Sequence, residues 1–148
     1  MQGMPFHDYN ESLSLVGAPG MFASCGPVPF ARLASLLLVL PGVRHGLRAL
    51  VQQYAFRCGV VLEVAVEVDS LRALCDIVAG GEGYTVLPAT ALAGRKDLVA
   101  VPIVDPVPSR SLVLARSRGD APDSAATAVM GLIRDELMAT EPSGAGAD

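Results

Sequence analysis

The sequence predicts an α/β fold whose core is a mainly parallel sheet. Residues 36–40 are apolar throughout and end at Pro41-Gly42, which is typical of a strand buried on both faces. A segment of helical period follows, and the strand–helix–strand order then repeats up to residue 87, as in parallel α/β layers. The 148 residues, 51% of them hydrophobic, suffice for one ordinary domain or for two small lobes.

The first strand is predicted at residues 12–17, before a Gly/Pro-rich loop at 18–29 with a brief turn near its end. A helix then begins near Leu47 and ends at Gly59. Its predicted buried face consists of Leu47, Leu50, Val51, Tyr54 and Cys58. Residues 62–69 alternate and predict a half-buried strand. Its inward side is predicted to comprise Leu62, Val64, Val66 and Val68.

Ser70 is expected to cap a second helix, which ends at the glycines of residues 80–83. The predicted buried face of this helix consists of Leu71, Leu74, Cys75 and Val78. A strand at 84–87, a short helix at 90–93 and strands at 98–104 and 111–115 follow. Pro122 and Asp123 open a last helix. Its predicted buried stripe is Val129, Leu132, Ile133 and Leu137, and residues 141–148 are expected to be disordered.

Composition narrows the class of protein. The net charge of −4, from 11 basic and 15 acidic residues, disfavours DNA binding by this chain alone and favours small ligands or protein partners. The three cysteines, Cys25, Cys58 and Cys75, are widely spaced, which predicts neither a disulfide framework nor a metal site. The N-terminus is unlike a secretory signal and the uncharged run 12–31 is broken by Gly and Pro, so we expect no membrane span and a cytoplasmic location.

No enzyme motif is present, and we predict no catalytic residues and no cofactor. Ligands of open α/β sheets collect where strands end and helices begin. Two junctions have this character, and their residues are the predicted ligand contacts: Gly42, Val43, Arg44, His45, Val68, Asp69 and Ser70. Arg44 and His45, with Arg48 nearby, suit a carboxylate or another small anion. The alternative is that the arginines are surface charges and that His45, Asp69 and Ser70 are helix caps.

Five segments resemble the effector-binding domain of LysR-type transcriptional regulators. They are residues 11–17 (ESLSLVG), 33–51 (LASLLLVLPGVRHGLRALV), 67–89 (EVDSLRALCDIVAGGEGYTVLPA), 98–106 (LVAVPIVDP) and 109–117 (SRSLVLARS). The run 67–89 is the most specific, and VRHGLR resembles the branch related to nitrogen-assimilation regulators. Similar sequences often have a hydroxyl residue and a proline where this chain has residues 42–44.

This resemblance implies a type 2 periplasmic-binding-protein-like fold of two α/β lobes, with a small-molecule effector, here an organic anion, bound between them. One lobe, residues 17–111, would be nearly complete, and residues 1–16 and 112–140 would form part of the other. It also implies an N-terminally truncated regulator without its winged helix-turn-helix, acting as a homo-oligomer or pairing with intact relatives. The alternatives are a stand-alone solute-binding domain of this fold, or a gene fragment without function.

Overall fold

The computed structural model describes residues 7–24, 26–114 and 124–140. The chain divides into two compact units, a larger one of residues 12–110 and a smaller one of residues 1–11 and 111–148. Both boundaries fall inside strands, β1 (His7–Gly17) and β7 (Ser109–Leu114). The predicted lobe limits at 16/17 and 111/112 stay a prediction. Cys25, the helix start at Pro122 and the tail from residue 141 lie outside the described residues.

The larger unit contains the predicted strand–helix–strand–helix–strand series. Its members are β3 (Leu37–Leu40), α1 (Gly46–Arg57), β4 (Glu63–Glu67), α2 (Leu71–Ala79) and β5 (Thr85–Pro88). Strands β2 (Val28–Pro29) and β6 (Val99–Val104) flank the series. Short 3-10 helices lie at Pro19–Met21, Phe30–Ser35 and Ala89–Leu92. The helix stops agree with the prediction, because Gly59 and Gly81 adopt φ of 65° and 82°, which few other residues tolerate.

The described strands form a mixed five-stranded sheet and a parallel two-stranded one, not a single mainly parallel sheet. Strands β3 and β4 run parallel, and Leu38 forms a parallel bridge with Tyr84, directly before β5. Strand β1, however, pairs antiparallel with both β5 and β6, while β2 pairs parallel with β6 and β7 pairs with β1. A fully buried strand is an apolar run whether it pairs parallel or antiparallel with its neighbours. The residue pattern therefore predicts where the strands lie but not the orientation of β1.

One hydrophobic core occupies the larger unit. Its centre includes Val39 of β3, Val51 of α1, Val78 of α2 and Val86 of β5, none of which has measurable exposure. Each such side chain contributes about 1.5–3 kcal/mol relative to an exposed one. The predicted stripes of α1 and α2 supply Leu47, Leu74 and Cys75 to this core as well. The apolar faces of α1 and α2 therefore pack against the strands of this core.

Two stripe residues are exposed, contrary to the prediction. Helix α1 ends at Arg57, so Cys58 caps the helix outside its buried face, and Ala55 takes the last buried position. Leu71 is 51% exposed because it is the first residue of α2. A periodic pattern predicts which side of a helix is buried. Residues at the ends of the helix can still be exposed, because they lie beyond the surface against which the helix packs.

The prediction of a strictly alternating strand at 62–69 is also wrong. The register between β3 and β4 shifts by one residue, so that Leu38 pairs with Val64 but the next residue, Val39, pairs with Val66. Leu38 and Val39 are successive residues of β3 and therefore face opposite sides of the sheet. Their partners, Val64 and Val66, consequently do not share a face either. Val66 is 41% exposed, whereas Leu62 and Val68 pack against the core.

The smaller unit contains α3 (Ser124–Thr140), and the described side chains of its predicted stripe are not buried. Val129, Leu132 and Ile133 are 53%, 69% and 42% exposed, and nothing is described of the Leu137 side chain. Besides α3, the described part of this unit consists only of residues 7–11 and 111–114. These two strand ends offer little surface to cover a helix. No helix in the described part of the chain combines the length and apolar character that a bilayer crossing requires.

Candidate functional site

A cavity of about 110 Å³ lies within the larger unit where β3, β4 and β5 end. We call it the strand-end cavity. Its lining consists of Pro41, His45, Leu47, Val68, Asp69, Leu71, Leu74, Leu87, Pro88, Ala91 and Arg110. The carboxyl ends of parallel strands and the starts of the following helices meet here, an arrangement that gathers ligands in open α/β sheets. Apolar side chains form most of the wall, and three polar ones interrupt it.

His45 lies at this cavity as the N-cap of α1. Its Nδ1 accepts a hydrogen bond from the Leu47 N–H at 3.2 Å, which satisfies one of the free donors of the first helical turn. A nitrogen that accepts carries no proton, so the proton of the neutral ring is assigned to Nε2. The imidazole therefore has one N–H left to donate, beside a helix terminus with partial positive charge.

Asp69 ties the two predicted junctions together. Its Oδ1 accepts the Gly42 N–H at 2.9 Å, which joins the end of β4 to the end of β3. A Cβ added at Gly42 would stand 3.0 Å from the same oxygen, so a larger residue there would displace the carboxylate by a few tenths of an ångström. Val68, directly before Asp69, adds an apolar wall. The structure thus brings His45, Val68 and Asp69 to one cavity and fixes Gly42 against it.

The remaining predicted contacts do not line this cavity. Val43 is 68% exposed, and Arg44 is exposed as well, both in the turn before α1. Ser70 is the N-cap of α2, where its hydroxyl accepts the Ala73 N–H at 3.3 Å. This is the capping role that the sequence offered as its alternative.

Arg48, the third cationic residue near the first junction, is bonded to neighbouring protein groups. Its side chain is 8% exposed, and its Nη1 donates to the Pro41 carbonyl at 2.9 Å and to Glu67 Oε1 at 3.1 Å. The charge therefore joins the start of α1 to the ends of β3 and β4. Its buried Nε lacks a hydrogen-bond partner in the described structure, and both of these contacts of the guanidinium come from Nη1.

Arg110 is the functional candidate that sequence reasoning missed. It belongs to β7, more than 40 residues after Asp69, and no local motif marks it. The structure nevertheless places this residue in the lining of the strand-end cavity. Its guanidinium has five N–H donors in a planar fork that matches a carboxylate. Leu87 and Pro88, at the end of β5, and Ala91, in the short helix after it, were missed as well, because that strand was predicted only as core.

A second ion-pair network lies at the far end of α2. Arg95 bridges Asp76 at 2.9 Å and Asp97 at 2.9 Å. Hydrogen bonds from Arg95 hold the pKa of the Asp97 carboxyl below its ordinary value. Nearby, burial raises the pKa of the Cys75 thiol, which keeps it protonated and unreactive. Among the described residues, no three side chains of His, Cys, Asp or Glu are grouped to hold a metal ion.

Another cavity, of about 140 Å³, lies near the opposite end of β5. Its lining includes Tyr84, which directly precedes β5, together with Phe22 and Arg32. The Tyr84 hydroxyl already donates to the Met21 carbonyl at 2.6 Å, and its ring meets Phe22 edge to face. Of the two cavities described, the strand-end cavity is the one that combines strand carboxyl ends with helix starts, so it is the candidate site.

Comparison with known proteins identifies the fold. Residues 7–138 match the LysR substrate binding domain family. The regulatory domain of CcmR from Synechocystis PCC6803, in complex with 2-PG, superposes with a TM-score of 0.69 at 21% identity over 97% of this chain and 70% of that one. The reduced form of OxyR gives a TM-score of 0.63 at 26% identity over 92% of this chain and 64% of that one. The expected type 2 periplasmic-binding-protein-like fold is confirmed.

Curated relatives agree with this assignment. The uncharacterized HTH-type transcriptional regulator YfeR of Shigella flexneri is 31% identical over 74% of this chain and 36% of its own length. The dual regulator OxyR of Escherichia coli K12 is 33% identical over 62% of this chain and 31% of its own. The chain thus spans about a third of the length of these relatives. Since the match covers most of the residues, the chain belongs to the LysR substrate-binding domain family.

Proposed function

We propose that this chain is the effector-sensing part of a LysR-type transcriptional regulator in the cytoplasm. In this proposal it has no enzymatic activity and binds a small metabolite through an anionic group, in the strand-end cavity. The observation that carries the proposal is the lining of that cavity: apolar walls together with Arg110 and with His45, the N-cap of α1. A few polar groups in an apolar cavity are the usual composition of a small-molecule site.

The size of the cavity limits the ligand. Its 110 Å³ is somewhat below the roughly 150 Å³ in which an engineered apolar cavity holds one benzene. In proportion, a ligand of about four to six non-hydrogen atoms matches this size. This favours a short carboxylic acid over an aromatic or nucleotide effector. The CcmR complex with 2-PG supports the view that regulatory domains of this fold take small ligands.

The anionic group is expected to contact two donors. A carboxylate at Arg110 would form a charge-assisted hydrogen bond, and His45 Nε2 can donate a second one. Helix starts at α1 and α2 add partial positive charge at the same end of the sheet. The exposed Arg44 carries the same charge but lies outside the lining, which makes it a natural control.

The proposal can be tested with propionate and its neutral isostere propionamide. Binding to the ¹⁵N-labelled chain is followed by amide chemical shifts, which report weak ligands. We expect propionate to shift amides around Val68, Leu87 and Ala91, and propionamide to bind at least about tenfold more weakly, because it lacks the charge. Arg110→Met should lose about the same factor, whereas Arg44→Met should stay within about twofold. Equal binding of the two probes, or equal losses in the two variants, would contradict the proposal.

Contact with DNA is not expected from these residues alone. The acidic balance of the chain opposes the phosphate contacts that dominate such binding. Retention of a duplex promoter fragment by the purified chain at physiological salt, dependent on sequence, would contradict this expectation. A reading of the gene upstream of Met1 would show whether a helix-turn-helix precedes it.

A further inference from the structure

Asp69 places a negative charge in the same cavity that holds Arg110. Its Oδ1 is engaged by the Gly42 N–H, and the described structure shows no hydrogen bond to Oδ2. The residue as a whole is exposed to solvent. The two formally charged side chains in the lining thus have opposite signs, within a wall that is otherwise apolar apart from His45.

A simple carboxylic acid complements the positive charge of Arg110 in this lining but not the negative charge of Asp69. Filling the cavity would remove water from Asp69 and would bring a second carboxylate close to it, and both changes are unfavourable. A ligand with an ammonium group beside its carboxylate removes both penalties, because the ammonium pairs with the free Asp69 oxygen. A hydroxyl group would supply a hydrogen bond but would leave the charge of Asp69 uncompensated.

We propose that the ligand of the strand-end cavity is a small zwitterionic amino acid, with its carboxylate on Arg110 and its ammonium on Asp69. This inference rests on the proposed function of the same cavity. The volume of about 110 Å³ restricts the class to the smallest members, since alanine already has about six non-hydrogen atoms. Asp69 is then a specificity-determining residue, and Gly42 holds it in position through the 2.9 Å hydrogen bond.

The test compares L-alanine, propionate and L-lactate on the full chain, with amide chemical shifts as the readout. These probes share the carboxylate and the chain length and differ in one substituent: ammonium, hydrogen or hydroxyl. We expect alanine to bind at least about tenfold more tightly than propionate, and lactate to fall within about threefold of propionate. Wild-type protein alone decides this comparison, so no variant has to fold for it.

Two carboxyl-to-amide variants then assign the effect. Asp69→Asn keeps an oxygen that can accept the Gly42 N–H but loses the charge, so it should weaken alanine about tenfold and leave propionate unchanged or slightly tighter. A misfolded variant would lose both probes together. Glu63→Gln removes an exposed carboxylate of β4 outside the cavity and should alter neither affinity.

The outcomes separate the two proposals. If propionate binds as tightly as alanine and both depend on Arg110, the carboxylate site stands and the amino-acid inference is overturned. Lactate binding as tightly as alanine overturns it too, because a hydroxyl would then suffice. If none of the three probes binds, the proposed function and this inference both fail.

Discussion

Helices α2 and α3 have apolar residues at the same helical spacing, but they differ in what covers that face. In α2, Leu74, Cys75 and Val78 are at most 2% exposed, because the helix packs against β3 and the core of the larger unit. In α3, Leu132 is 69% exposed. Spacing therefore predicts which side chains share a face, whereas burial depends on the segments that meet the face. For α3, the described residues of its unit supply almost none.

The largest expected effect tests this difference with one substitution made twice. Leu74→Ala should lower the free energy of unfolding by about 3–4 kcal/mol, since it removes buried contacts and enlarges a cavity. Leu132→Ala should cost less than about 0.5 kcal/mol in the same chain. Urea denaturation followed by circular dichroism measures both. Similar losses at the two positions would show that α3 is covered as well as α2.

Glycine substitutions should change stability in opposite directions in the two units. Gly83→Ala places a Cβ 2.9 Å from the Leu37 carbonyl at a φ of 153°, and should cost about 2–3 kcal/mol. Gly131→Ala, inside α3, meets no atom of the described residues within 4 Å and should stabilise by about 0.5–1 kcal/mol through helix propensity. Thermal unfolding of the two variants checks the signs. A loss at Gly131 would indicate a close neighbour of α3.

A cap substitution sharpens the account of α2. Ser70→Ala removes the acceptor for the Ala73 N–H and should cost about 1 kcal/mol. Ser12→Ala, at an exposed position of β1, should stay within about 0.5 kcal/mol. Both are measured by urea denaturation at neutral pH. If Ser70→Ala matches its control, the hydroxyl does not act as a cap in solution.

The smallest effect concerns pH and the far end of α2. The pKa of Asp97 is lowered in the folded chain, so its contribution to stability is present above its ordinary value near 4 and is lost as pH falls through the folded value. Asp97→Asn should therefore lower the melting temperature slightly at pH 7 and have no effect in strong acid. Because the group is exposed, we expect a small shift. A larger effect in acid than at pH 7 would contradict a lowered pKa of Asp97 in the folded chain.

Sequence reasoning succeeded where the signal is local. Ser70 next to an apolar period predicted a cap, and Gly59 predicted a helix end, because each depends on a few neighbouring residues. The shift between Leu38 and Val39 was missed, since a register depends on two strands at once. Arg110 was missed because only the fold brings it to Asp69. The candidate site was therefore predicted in part, at the two junctions that are local.

The strand boundaries of the larger unit have a practical consequence. Residues 12–110 form one uninterrupted stretch, and near its two ends the Leu13 N–H donates to the Pro108 carbonyl at 2.8 Å. The two ends of this segment therefore lie next to each other. A segment with adjoining ends can be moved into a permissive loop of an unrelated carrier protein with little chain distortion. The larger unit therefore suits use as a transplantable sensor cassette, in which a signal from the carrier reports occupancy.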